Sequence, residues 1–180
     1  MSPEVFLLYT LAFCRIAIGL VFTISIVNKL HNLEQFVKTI DNFNILPQAS
    51  HDFFAKAFLY SEITVVIFMV IGNFFLLIGF LLATFLLTLF CIALISILYR
   101  KIRTSCNCFS TSTRPISYFD ICRNVGFIVC AFSGCITFIW IKDSPGNLSL
   151  LGWILTGLST TIFITVWIQL GDIVQLFRQS

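Results

Sequence analysis

Residues 75–99 read FLLIGFLLATFLLTLFCIALISILY, twenty-five positions without one charged side chain. A helix that crosses the hydrocarbon of a bilayer needs about 20 mostly apolar residues, within a range of about 17–25. This stretch therefore reads as a membrane span, closed at its end by RKIR at 100–103. Just before it, Gly72 and Asn73 make a two-residue break after another apolar run, 53–71. Merging the two runs would give a helix of about 47 residues, far too long for one crossing. Three further runs, 5–27, 118–141 and 148–170, complete a count of about five spans. The composition agrees: 58% of the 180 residues are hydrophobic and 11% charged, against about 45–50% and 25% in soluble domains.

The expected fold is thus an all-α, polytopic membrane helix bundle in one domain, residues 1–180. Helices are what a lipid-embedded chain must form, because every backbone N–H and C=O has to be satisfied internally. Gly19, Gly79 and Gly126 are small enough to let helices approach closely. The start, MSPEVFLLYTLAF, has no basic segment and no small-residue cleavage site after it. It reads as a retained helix, not a removed signal peptide. Between the first two spans, Phe36, Ile40 and Phe43 recur at helical spacing, with Lys38, Asp41 and Asn42 elsewhere on the wheel. That pattern predicts a short interfacial helix ending before Pro47, with an ordinary polar loop as the alternative.

Lysine and arginine set orientation. With five spans one face collects Lys29, Lys38, Lys56, Arg100, Lys101, Arg103, Arg114, Arg123 and Arg178, while the other has Lys142. The positive-inside rule then puts the nine in the cytoplasm and the N-terminus outside. Arg15 and Glu62 fall inside spans, where charged side chains are rare and usually face a partner in the bundle interior. Counted from the basic face they lie roughly 18 and 14 Å deep, within reach of each other for side chains of their length. Two readings stand for them: an ion pair that fixes packing, or a polar floor for a quinone headgroup or a proton path.

Seven cysteines cannot all pair among themselves. Cys106 and Cys108 stand one residue apart in RTSCNCFSTSTRP, 103–115, flanked by Arg100, Lys101, Arg103 and Arg114. Neighbouring cations favour thiolate, the reactive form. A disulfide across one residue closes a small ring far from ideal geometry, and strained disulfides are the labile ones. The spacing suits a disulfide that is passed on. Cys122, at the same face, is a candidate resolving thiol, and Cys91 with Cys130 a deeper relay pair or simply small apolar filling. Cys14 and Cys135 read as structural. Soft thiolates also bind zinc or copper, but a closed structural zinc site needs four ligands and this loop supplies two or three thiols and no His. No metal site is assigned. An incidental thiol pair is the third alternative.

Several of these segments together resemble the MauE family, related to DoxX-like membrane proteins. The likeness runs from CRIAIGLVFTISIVNKL, with Arg15, Gly19, Phe22 and Lys29, through FVKTIDNFNILP, ending on Leu46 and Pro47. It continues through Glu62, then CNCF at Cys106 to Phe109, then Arg123 and Asn124, covering roughly residues 12–130. Ser110 departs from it, since the family commonly has Gly after CxCF; the departure bears on the local turn more than on the cysteine chemistry. The resemblance implies a multi-pass inner-membrane protein associated with thiol redox, working beside a thioredoxin-like partner. It implies support for disulfide maturation of a client, as for the methylamine dehydrogenase small subunit in the namesake system. An enzymatic role would be that of a thiol–disulfide oxidoreductase, and the DoxX side of the kinship suggests a quinone. Nothing in the sequence points to nucleic acid. A non-catalytic assembly factor and a thiolate metal-binding protein are the competing functions.

Overall fold

The computed structural model describes residues 3–31, 51–99, 118–141 and 148–179. They form five helices: α1 (Pro3–His31), α2 (His51–Ile71), α3 (Phe74–Tyr99), α4 (Tyr118–Ile141) and α5 (Leu150–Gln179). Among the described residues, α1, α3, α4 and α5 are long and apolar enough to cross a membrane. The 21 residues of α2 span about 31 Å and lie alongside α1 and α3. The chain is a polytopic helical membrane bundle. The interfacial segment at 36–43, and the loop carrying Cys106 and Cys108, lie outside the described residues.

Helices α1 to α4 form a four-cornered bundle in which each packs against its neighbours and α1 only grazes α3 across the diagonal. The fifth helix docks mainly on α1, with a smaller contact to α4. Core residues come from every helix: Ile18 and Val21 of α1, Val65 of α2, Phe80 and Ala83 of α3, Phe127 and Ala131 of α4 and Ile164 of α5. The outward faces are equally apolar, with Val70, Leu81, Phe85, Val129, Leu158 and Ile162 more than half exposed. That pattern suits lipid, which solvates such side chains without cost, and leaves close packing to hold the helices together.

Close packing is visible at the glycines. A Cβ on Gly79 would stand 3.0 Å from Cβ of Phe68, and one on Gly126 2.8 Å from the Trp167 ring. Gly134, which the sequence reading passed over, is tighter still, with the Phe80 ring 2.5 Å from where its Cβ would be. Gly19 has only an ordinary contact, 3.8 Å to Met69. The expected break before α3 is a true hairpin. Gly72 and Asn73 both take left-handed backbone, with φ of 76° and 50°, and the Gly72 N–H closes back on the carbonyl of Phe68 at 3.1 Å.

This hairpin fixes the ends of the bundle. One end holds the turn at Gly72, the finish of α4 and the start of α5. The other gathers the end of α1, the start of α2, the end of α3 and the start of α4. The segment with Cys106 and Cys108 joins Tyr99 to Tyr118 and so begins and finishes at this second end, called the loop end below.

Candidate functional site

Helix α1 runs on past Val27, where NKLHN had suggested a stop, and finishes at His31. The extra turn matters because Ile18, Phe22, Ser25 and Lys29 follow one another at helical spacing, and all four are buried. On α2 the stripe Ala55, Glu62, Val65 and Met69 is buried in the same way. Packing the two stripes antiparallel brings Lys29 Nζ to 2.5 Å from Glu62 Oε1. Ser25 Oγ donates to the same oxygen at 3.1 Å. Lys29 Nζ also stands 4.4 Å from the centre of the Phe58 ring. Ser25, Lys29 and Glu62 are each 3% exposed, so this is an ion pair taken wholly out of water.

Glu62 therefore does not pair with Arg15, although the sequence put the two within reach. Arg15 and Lys29 sit fourteen residues apart on α1, about 21 Å along the axis, and Arg15 belongs to the hairpin end. Its guanidinium donates from Nε to the carbonyl of Met69 at 2.6 Å and from Nη2 to that of Val70 at 2.8 Å. These are last-turn carbonyls of α2 that have no partner inside the helix. The same group lies 5.6 Å from the Trp153 ring. Arg15 is a cap and an inter-helix strut. The two charges share no polar floor.

Beside the ion pair is a small cavity lined by Ser25, Lys29 and Glu62, by Phe22, Phe58 and Phe90, and by Leu86 and Leu87. Its volume of about 20 Å³ is room for about one water molecule. Glu62 Oε2 is buried and has no hydrogen-bond partner among the described residues. Such an acceptor costs about 1–3 kcal/mol, more for a charged group, unless something donates to it. The site is thus shaped for a small hydrogen-bond donor next to a carboxylate. Asn124, 2% exposed, does not line the cavity but donates from Nδ2 to the carbonyl of Leu87, which does, at 2.8 Å. Its neighbour Arg123 pairs with Asp120 at 3.2 Å.

Residues quoted separately from the sequence thus converge: Phe22, Lys29 and Glu62 on one cavity, with Asn124 against its wall. Ser25, Phe58 and Phe90 were missed. The continuation of the Ile18–Phe22 stripe to Ser25 and Lys29 was the signal that carried part of this answer.

The thiols divide differently from expectation. Cys122 is exposed near the start of α4, and Cys91 is buried in α3. Cys130 does not meet Cys91; it packs against the core to which Cys14 belongs. The register explains this. Asn124 lies level with Leu87 and Gly134 level with Phe80, so Cys91 lies beyond Asn124 toward the loop end and Cys130 lies between Asn124 and Gly134. All five described cysteines are free, and Cys14 and Cys135 are buried in the core. Cys106 and Cys108 lie outside the described residues.

A family model described as Methylamine utilisation protein MauE matches residues 7–140, the stretch that builds α1 to α4. No match was found among curated proteins or among solved structures.

Proposed function

The chain belongs to the MauE family, and from that premise we propose that it exchanges thiols and disulfides through Cys106 and Cys108, supporting disulfide maturation of a client protein. In the exchange a thiolate of a thioredoxin-like partner attacks one sulfur of the Cys106–Cys108 disulfide. The S–S bond breaks, a mixed disulfide forms, and the other loop cysteine leaves as thiolate. The partner's second thiolate then releases the mixed disulfide, so two electrons pass to the loop pair and the partner is oxidised. The reverse sequence returns the two electrons from the reduced loop pair to an oxidised partner and re-forms the Cys106–Cys108 disulfide.

The observation that carries this reading is covalent placement. The CxC pair, with its four basic neighbours, is held in the segment tying α3 to α4 at the loop end. Cys122 is exposed at that same end, within the first turns of α4, as a resolving thiol requires. The Lys29–Glu62 cluster holds α1 to α2 at this end of the bundle and gives the exchange a fixed base. Its cavity is smaller than a quinone ring.

The lysine and arginine tally supports a cytoplasmic loop end in a cell membrane. Lys29 leaves that tally because it is buried against Glu62, and the asymmetry survives without it. The discriminating experiment replaces both loop cysteines by serine. Client disulfide formation in cells should fall to background, and Cys108→Ser alone should trap a mixed disulfide with a thioredoxin-like partner. Full client maturation in the double variant would overturn the exchange reading in favour of an assembly factor.

A further inference from the structure

At the hairpin end, one corner of the bundle gathers hydrogen-bond donors that no described residue accepts from. Arg15 spends two N–H groups, on the carbonyls of Met69 and Val70. A guanidinium carries five, so three are left without a partner among the described residues. A Cβ at Gly72 would stand 3.0 Å from Nη2 and 3.1 Å from Nη1, so glycine there leaves room around both. The Trp153 ring lies 5.6 Å from the guanidinium carbon. The Tyr9 hydroxyl packs on the adjoining Gly152, 3.1 Å from where a Cβ there would be. Neither that O–H nor the Trp153 indole N–H has a hydrogen-bond partner among the described residues. Arg15 is half-buried, and Tyr9 and Trp153 are 36% and 37% exposed, so all three reach the outside of the bundle.

Charge and depth say what these donors meet. Glu4, the acidic residue of α1, is eleven positions before Arg15, about 16 Å along the axis. The segment joining α4 to α5 adds Lys142 and Asp143, whose charges balance. The cation thus faces outward with no carboxylate paired to it among the described residues. From the loop end to the turn at Gly72, α2 covers about 31 Å, close to the hydrocarbon thickness of about 30 Å. Arg15 caps the last turn of α2, so it lies where acyl chains give way to headgroups, the level at which Tyr and Trp concentrate. We propose that Arg15, Tyr9 and Trp153 form a binding site for the phosphate of an anionic phospholipid, between α1, the α2–α3 turn and the start of α5. The guanidinium gives paired N–H bonds to two phosphate oxygens while it keeps its two carbonyls. The Tyr9 hydroxyl and the Trp153 indole supply further donors, and the acyl chains lie along the apolar outer faces.

The test places the full-length chain in phosphatidylcholine nanodiscs doped with phosphatidylglycerol that carries a photoreactive headgroup, and maps the cross-linked peptides. Cross-links should concentrate on residues 69–73 and 149–153 at the hairpin end. Unlabelled phosphatidylglycerol should compete for them about tenfold better than phosphatidylcholine, the scale of a hydrogen bond to a charged group. Arg15→Gln should bring the two lipids to parity. Tyr9→Phe with Trp153→Phe keeps the caps on α2, and so covers the case of an Arg15 variant that fails to fold. It should cut the hairpin-end yield severalfold and leave cross-linking at the basic loop end unchanged. Equal competition by the two lipids in the unaltered chain, or a hairpin-end yield that the folded variants do not lower, would overturn the site. Inorganic phosphate competing as well as phosphatidylglycerol would overturn its assignment to lipid. None of these results touches the loop-pair exchange, which is read by client maturation.

Discussion

Glu62 is the residue on which the site turns, because it is a carboxylate beside a water-sized cavity with one oxygen doubly engaged and the other buried without a hydrogen-bond partner among the described residues. Removing one member of a buried ion pair leaves an uncompensated charge and typically costs about 3–5 kcal/mol, whereas replacing both by apolar groups of similar size is often neutral. Lys29→Met should therefore destabilise the bundle by about that amount, and Lys29→Met with Glu62→Leu should recover most of the loss. Thermal unfolding in one detergent, run as a double-mutant cycle, checks this. Additive losses would mean that the two side chains act separately. Arg15 presents a different case at the same scale. Arg15→Met removes the hydrogen bonds to the carbonyls of Met69 and Val70, one part-buried and one exposed, at about 1.5–3 kcal/mol, the scale of a hydrogen bond to a charged group. The damage should appear as faster amide exchange in the last turns of α2, with the Lys29–Glu62 end unchanged.

At the scale of an element, the α2–α3 hairpin is the most demanding stretch, since α2 ends and α3 begins across two residues in left-handed backbone. Alanine there costs about 1–2 kcal/mol from the backbone alone. At Gly72 its Cβ would also stand 3.0–3.2 Å from the Arg15 guanidinium. Gly72→Ala should lower stability by more than Arg15→Met does, because it strains the turn and displaces the cap together; chemical denaturation of both variants under matched conditions tests the order. The α3–α4 contact makes a parallel point. Gly134→Ala drives a methyl into the Phe80 ring, and Phe80→Leu in the same chain should restore much of the lost stability. The sequence made the hairpin legible, since Gly-Asn between two apolar runs has few other meanings. It did not show Gly134 as a contact, because nothing along α4 says which face meets α3.

For the whole molecule the packing predicts sidedness that one labelling experiment can read. Asn73 is at the hairpin end and Cys122 near the loop end, so a membrane-impermeant maleimide should reach Asn73→Cys and the native Cys122, each as the sole cysteine, from opposite sides of the membrane. Labelling both from the same side would refute the antiparallel arrangement. The sequence by itself determined that the chain crosses a bilayer several times as helices, because length and continuous apolarity leave a lipid-embedded backbone few other ways to satisfy its hydrogen bonds. It also singled out Lys29, Glu62 and Asn124, in short motifs on α1, α2 and α4. Which of them meet was decided only by tertiary structure. Arg15 and Glu62 are at compatible depths when counted along the chain, yet a partner is chosen by helix rotation and by where a helix truly ends. Two more residues of α1 bring Lys29 into the core, where a buried carboxylate takes the nearest cation and leaves the more distant guanidinium to cap a helix. The register of α3 on α4 likewise keeps Cys130 away from Cys91: periodicity assigns each side chain a face, and only packing assigns that face a neighbour.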